Sequence, residues 1–407
     1  MSDFELARGA LIAIAAATVL LPNVFLAGLA LASFGRRQAA ARTNDGGLRL
    51  SILIAAHDEE RGIETTLRAI AAFAGSDVRA HVVADNCVDA TATVAAAAGA
   101  CVHVRSDLTR TGKAAALNWL SAEVFREDPA ADAFVFIDAD ARPDPGFFEG
   151  LRAALAGGAD VVQAVNLVLP GDAALTRLRQ LAFHLKCELR PLAYERLGLS
   201  VGIHGNGMSF RRSVAERYRW NEGFVAEDGE MHLRLVSDGI RVRFAPDAVV
   251  RSAMPHEFRA AAGQALRWER GKSDLFRAAG RAMREGIVKR DVALVVAAAD
   301  AMIPPLSFLI ASGGAVLIAG LATGDARLAF VGLAALAGTT AYLVRGAALA
   351  RIAPRAYVGI VAWAVPYVIW KVAIYLGALA GSGRGRWAQA RPVLTTLAAA
   401  AEATEAK

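Results

Sequence analysis

Two regions of this chain carry apolar runs too long and too free of charge to sit on the surface of a soluble fold. The first lies within residues 9–34 and reads ALIAIAAATVLLPNVFLAGLALASF. It exceeds the roughly 20 residues needed to cross about 30 Å of hydrocarbon. The preceding MSDFELARG is acidic on balance, whereas a secretory signal carries a basic start and a shorter apolar core, so a retained anchor is expected. Arg36, Arg37 and Arg42 follow directly, which places the residues after 35 on the cytoplasmic side.

The second region runs from about residue 292 to 380. Residues 304–322 and 327–344 read as spans joined by the short turn TGDA, and Arg345, Arg351 and Arg355 mark the following loop as cytoplasmic. Residues 357–380 are apolar but interrupted by Pro366 and Lys371. A full span there would put Arg384, Arg386 and Arg391 outside, against the positive-inside tendency, so it reads equally as re-entrant or interfacial. Residues 292–302, ending at Pro304-Pro305, carry the same ambiguity.

The expected organisation is an anchor at 1–35, a cytoplasmic domain at 43–255, interfacial helices at 256–290, membrane or interfacial helices at 291–387, and an Ala-rich tail at 388–407. The chain is then an integral protein of the cell (inner) membrane, with membrane lipid as a partner. A formal charge of +6, without a basic run interleaved with aromatics, argues against nucleic acid. Cys87, Cys101 and Cys187 are scattered, without metal-site spacing, and fit a reducing cytosol. Nothing in the sequence sets an oligomeric state.

Between the apolar regions, short apolar runs alternate with helical patterns. Strands are expected at 48–56, 80–86, 101–105, 134–140 and 160–169, with helices at 60–73, 89–98, 112–127 and 145–156. Such alternation predicts an α/β fold: a mostly parallel, Rossmann-like sheet with helices on both faces. Ligands of such sheets collect beyond the carboxyl ends of the strands. Three of those ends are polar: His57-Asp58-Glu59-Glu60, Asp85-Asn86-Cys87 and Asp138-Ala139-Asp140. Each alone reads as a helix cap; three along one edge point to a site.

In an extended segment Asp138 and Asp140 project to the same side and repel unless a cation joins them. Hard divalent ions, Mg2+ or Mn2+, suit such oxygen ligands and take further ligands from substrate phosphates. TRTGKAAALNW (109–119) sets Gly112 and Lys113 at a helix start, where phosphate is readily met. It is no P-loop, because Asp107 stands at the first Gly position and Ala114 replaces Ser or Thr; a solvated lysine reads equally well. Three later stretches carry further polar groups: GIHGNGMSFRR (202–212), FVAEDGEMHLRL (224–235) and QALRWERGK (264–272). In the last, Gln264 and Arg267 share a helical face.

In this order and spacing, the stretches resemble the membrane-bound members of glycosyltransferase family 2, relatives of cellulose, hyaluronan and poly-N-acetylglucosamine synthases. The resemblance covers roughly residues 48–275 and the flanking membrane segments. It implies a GT-A fold and inverting, metal-dependent transfer from a nucleotide sugar, a UDP-sugar first, to a glycan or lipid-linked acceptor. His57, Asp58 and Glu59 match the first motif, and with Asp85 would bind the nucleoside; Lys113 would face phosphate. Asp138-Ala139-Asp140 matches the family's DxD, so both aspartates would serve nucleotide and metal, with Asp140 the more direct metal ligand. Glu227-Asp228 matches its Glu-Asp pair, with Asp228 the catalytic base. Asn206, Gly207 and Met208 match a loop near the acceptor sugar, and Gln264, Arg267 and Trp268 match Gln-x-x-Arg-Trp of the acceptor and diphosphate region. Trp268 also reads as an anchor at the bilayer interface.

The sequence departs from that pattern in places. His57 stands where an Asn-Glu-Glu motif is common, Ala226 replaces Thr, and a Phe-x-Val-Thr gating segment is missing. With three or four membrane segments, single-sugar transfer stands beside polymer synthesis. Two rival readings are a sugar nucleotidylyltransferase and a non-catalytic nucleotide-binding membrane protein. The first needs a basic, Gly-rich loop where this chain has HDEE, which would repel a triphosphate.

Overall fold

The computed structural model describes residues 3–35 and 47–381. Arg36, Arg37, Arg42, Arg384, Arg386, Arg391 and the tail at 388–407 lie outside the described residues.

Eight strands form one sheet: β1 (Leu50–Ala56), β2 (Val78–Asp85), β3 (Cys101–Arg105), β4 (Ala133–Phe136), β5 (Ala141–Pro143), β6 (Val161–Val168), β7 (Met208–Arg211) and β8 (Val242–Ser252), in the order β3-β2-β1-β4-β7-β6-β8-β5. The half from β3 to β4 is parallel, as are β6 and β8; the antiparallel pairings all involve the short strands β5 or β7. The sheet is therefore mixed. Helices Ile63–Phe73, Thr91–Ala97, Lys113–Glu127 and Phe147–Ala156 fall where the alternation predicts them.

Strand alternation explains the two cores. Leu53, Phe134 and Phe136 join the helix 113–127 side chains Leu117 and Leu120 on one face, while Ile52, Ile54 and Val135 join Ile63, Leu67, Phe147 and Phe148 on the other. The first core continues into the apolar helices through Leu26, Leu29, Leu309 and Tyr342. One packed body thus links the sheet to those helices.

One element ends earlier than expected. The strand predicted for 134–140 stops at Phe136, and Asp138 to Ala141 form a turn closed by Ala141 N–H on Asp138 C=O at 3.1 Å. The two aspartates therefore share a turn rather than one side of an extended segment.

Among the described residues, four helices are long and apolar enough to cross a membrane: Arg8–Ala32, Leu306–Thr323, Ala326–Leu349 and Arg355–Leu379. The first contains a π-helical turn, Ala16–Leu20, just before Pro22, whose missing N–H breaks the regular ladder. The 357–380 stretch lies in one unbroken helix, Pro354–Leu379, despite Pro366. The 292–302 stretch is helix Val292–Met302, whose 11 residues reach only about 16 Å. That is too short to span.

The helix ends sort into two sets. Arg8 Nε donates to Asp325 Oδ2 at 2.5 Å, joining the start of the first span to the TGDA turn. At the other end Arg345 Nε donates to Ser33 Oγ at 2.8 Å, and Arg196, from the sheet-bearing part, donates to the Ser33 and Gly35 carbonyls. The sheet, residue 35 and the loop after 349 lie at the same end.

Candidate active site

The carboxyl ends of the parallel strands are built by welding neighbouring loops. Asp58 Oδ1 accepts from Val88 N at 2.8 Å, Glu59 N donates to Thr91 Oγ1 at 2.7 Å, and Glu60 Oε2 accepts from Ala90 N at 3.1 Å. Asp58 and Asn86 hold φ of 55° and 52°, a left-handed conformation that these two residue types tolerate better than most. Asp58 and Glu59 line a large cleft, with Asp89 beside them.

Asp85 lies deeper. It is 1% exposed, and Arg105 Nη1 donates to its Oδ1 at 2.5 Å, while Oδ2 is buried without a partner among the described residues. The ion pair of strand ends β2 and β3 keeps it off the cleft wall. His57 also points inward, its Nδ1 2.7 Å from the Asp85 carbonyl oxygen.

The centre of the cleft is Lys113, the first residue of its helix. Its ammonium donates to Asp138 Oδ1 and, at 2.7 Å, to the Gly205 carbonyl. Burial opposes its charge, but Asp138, Glu227 and Asp228 outweigh that and hold its pKa above the ordinary value. The same crowding acts on the acids. Burial, then Asp138 and Glu59, push Asp140 up to about 7. Burial, then Asp228, push Glu227 up to about 7. Glu227 and Asp228 open helix Glu227–Ser237, whose N-terminal dipole favours negative charge. A carboxylate oxygen of Asp228 stands beside Gly205, so DxD, lysine and Glu-Asp pair converge around one point.

The 202–208 loop divides into a wall and a support. Gly202, Ile203, His204 and Gly205 line the cleft. Asn206 is 1% exposed behind them: its Oδ1 accepts from Asp138 N at 3.1 Å and its Nδ2 donates to Ser252 Oγ at 3.2 Å. Gly207 has φ +69°, and a Cβ there would stand 2.8 Å from Val250 Cγ1. Asn206 and Gly207 therefore position the Asp138 turn; they do not reach the cleft. Met208 begins β7 and is buried.

Gln264, Arg267 and Trp268 sit on one continuous helix, Phe258–Lys289, and all line the cleft. Two glycines let this helix approach the Glu-Asp helix: a Cβ on Gly229 would meet Leu275, and one on Gly271 would meet the Ala226 backbone. Lys371, the interruption seen in the last apolar stretch, donates to Glu269 Oε1 at 2.7 Å, and Lys272 donates to Oε2 at 2.8 Å.

Sequence reasoning missed His204, Arg179 and Lys186, which also line the cleft. Burial holds His204 well below its ordinary pKa, and neither ring nitrogen has a partner among the described residues. His204 lay in plain view in GIHGNG, but no local signal distinguished Arg179 or Lys186.

Among the described residues, three-ligand clusters occur at Asp58/Cys87/Asp89 and His81/His103/Glu127, not at the DxD. Two carboxylates nonetheless suit Mg2+ or Mn2+, which keeps waters and substrate oxygens as its other ligands. Burial and then the charges of Asp138 and Glu59 raise Asp140, and a bound cation would relieve that repulsion.

The family model described as glycosyl transferase family group 2 matches residues 133–380, more than half of the chain. The chain belongs to this family. An N-acetylglucosaminyltransferase of Bradyrhizobium diazoefficiens is 29% identical over 105 residues, 24% of this chain and 22% of that protein. A glucomannan 4-beta-mannosyltransferase 1 of Oryza sativa subsp. japonica is 27% identical over 144 residues, 34% of this chain and 28% of that protein. The chain thus matches about a quarter of the length of these curated relatives. A mannosyltransferase from Pyrobaculum calidifontis, solved in complex with GDP-Man and Mn2+, has the same fold, with TM-score 0.55 and 19% identity over 91% of this chain and 99% of that one. The GT-A fold expected for this family member is the one observed. Family membership also removes the nucleotidylyltransferase reading.

Proposed function

We propose that this chain transfers a sugar from a nucleoside-diphosphate sugar to a hydroxyl of a glycan or lipid-linked acceptor, with inversion, at the cytoplasmic face of the cell (inner) membrane. The process it serves is cell-surface or exopolysaccharide synthesis. One observation carries the reading: Asp138, Glu227 and Asp228 all act on the Lys113 ammonium, in a cleft that Gln264, Arg267 and Trp268 also line. The relatives' names and the GDP-Man of the solved neighbour support a nucleotide-sugar donor. A UDP-sugar is the first donor to test, and GDP-mannose the second.

Asp228 takes the proton as the acceptor oxygen attacks the anomeric carbon; the bond from that carbon to the diphosphate breaks, and the nucleoside diphosphate departs from the opposite face. A positioned general base contributes about 10²–10⁴-fold in rate. Glu227, pushed up to about 7 by burial and by Asp228, carries a proton much of the time at neutrality and so suits hydrogen-bond donation better than proton removal. Lys113 and Arg267 supply positive charge for the diphosphate. Asp140, beside Asp138, would hold Mg2+ or Mn2+, which supplies further neutralisation of that leaving group. Asp58 and Glu59 flank the nucleoside end of the cleft. Asp85 holds Arg105 and so shapes that end from beneath.

Membranes carrying the full chain, given a panel of radiolabelled donors, test this directly. Transfer from one donor with release of its nucleoside diphosphate is expected, with activity lost on chelation and restored by Mn2+ or Mg2+. Nucleotide binding without transfer from any donor would instead favour a non-catalytic protein.

A further inference from the structure

The cleft is larger than a nucleotide sugar requires. Its volume of about 1680 Å³ exceeds the roughly 300–1,000 Å³ usual for small-ligand sites. From the acidic end it continues between helices Leu306–Thr323, Ala326–Leu349 and Pro354–Leu379, where Leu306, Ile310, Leu343, Ile360, Ala364 and Val368 form its walls. Several cations line it, among them Arg179, Lys186 and Arg267, none of which forms an ion pair among the described residues.

Arg179 is the informative one. It is only 4% exposed, on helix Ala174–His184, and its one hydrogen bond among the described residues is from Nη1 to Gln264 Oε1 at 3.3 Å. No described carboxylate pairs with it. A buried guanidinium without a counter-charge is costly, and burial indeed lowers its pKa. The acids that surround Lys113 exert no resolved influence on it, so it does not belong to their cluster. Lys186 is exposed into the cleft and without a described partner.

We propose that Arg179, with Lys186, receives the phosphate groups of a lipid-linked acceptor whose hydrocarbon tail occupies the apolar end of the cleft. The proposal rests on the transferase reading above and selects the lipid-linked acceptor over a free glycan. The tail enters from the bilayer between helices Ala326–Leu349 and Pro354–Leu379, where Val344 and Val361 are 64% and 71% exposed. The bound phosphates then set how far the acceptor hydroxyl reaches toward Asp228. Charge complementarity and the continuity of one cavity from acids to membrane helices both select this occupant.

The test uses the full chain in zwitterionic nanodiscs. Binding of a radiolabelled polyprenyl diphosphate is compared with the matching polyprenol and with inorganic pyrophosphate, and nucleoside-diphosphate binding with Mn2+ is measured separately. The lipid diphosphate is expected to bind at least about tenfold tighter than either fragment. Arg179→Gln should weaken it by roughly 10- to 100-fold, the loss of a charge-assisted contact, with nucleotide affinity unchanged. Lys186→Ala, at an exposed position that leaves the core intact, should weaken it several-fold, and Arg179→Lys should retain part of the affinity. Polyprenol binding as tightly as the diphosphate, pyrophosphate binding as tightly without a tail, or Arg179→Gln weakening the nucleotide instead of the lipid would each overturn the proposal. A wild-type protein that binds the lipid diphosphate but no nucleotide would sink the transferase reading alone.

Discussion

At Asp138 a single oxygen is claimed by Lys113, and around them Asp140, Glu227 and Asp228 compete for the same positive charge. On the proposed reading, lysine and divalent ion would be rivals at Asp138 and allies at the diphosphate. Lys113→Met should tighten Mn2+ binding in the absence of nucleotide, because a competing cation is gone, yet weaken nucleoside-diphosphate binding by about tenfold. Calorimetry of each ligand separately reads both signs; a fall in both affinities would mean that the lysine only holds the loop. Asp228→Asn, which keeps the shape but removes the proton acceptor, should cut turnover by about 10²–10⁴-fold while nucleotide affinity stays within a few-fold. Full turnover in that variant would remove the base assignment. Of the cleft residues, the sequence marked Glu59, Asp138 and Asp140 by their place after strand ends, where ligands of such a sheet gather, Lys113 by its helix start, and Glu227 and Asp228 through the family resemblance. It could not show that Asp85 is sealed beneath Arg105 or that Asn206 grips the Asp138 backbone, because both depend on partners about 20 and about 70 residues away.

The long helix Phe258–Lys289 shows how an element can carry a motif on one side and an anchor on another. Glu269, 5% exposed, receives both Lys272 and, from the last membrane-type helix, Lys371. That contact explains why a lysine interrupts an apolar run: its charge is spent inside the protein rather than in lipid. Glu269→Gln should destabilise the protein by up to about 3 kcal/mol, because it leaves the largely buried Lys371 ammonium without its carboxylate. Adding Lys371→Met should recover part of that loss, and thermal unfolding of the single and double variants in one detergent measures the coupling. Equal stability of the two would show that the pair is idle. At β7, Gly207→Ala combines a left-handed φ with a clash against Val250 and should lower stability by about 1–3 kcal/mol while displacing the Asp138 turn through Asn206. Local alternation made most strands and helices legible to within two or three residues. Strand β4 was overextended because Ile137 and Ala139 continue an apolar pattern that the Asp138–Ala141 turn ends.

For the molecule as a whole, the decisive relation is between the membrane helices and the sheet. The expectation of a cytoplasmic sheet drew on Arg36, Arg37 and Arg42, which lie outside the described residues, and on the arginines after 344. The packing supplies an independent argument about relative placement: Ser33 is held from both Arg345 and Arg196, while Arg8 meets Asp325 at the far end. The sheet, the end of the first span and the basic loop must then share one side, whichever side that is, and the TGDA turn must face the other. On the proposed reading the positive-inside tendency sets the sign, and the sheet would then face the cytoplasm with its supply of nucleotide sugars. With Cys101, exposed on the sheet, replaced by Ser, Thr323→Cys should react in intact cells with a membrane-impermeant maleimide; the protein with Cys101 intact and no cysteine at 323 should react at residue 101 only after permeabilisation. The reverse pattern would turn the molecule over and strip the proposed donor of its source, while labelling of both positions from outside would break the parallel arrangement of the first and third spans that the Arg8 and Arg345 contacts require.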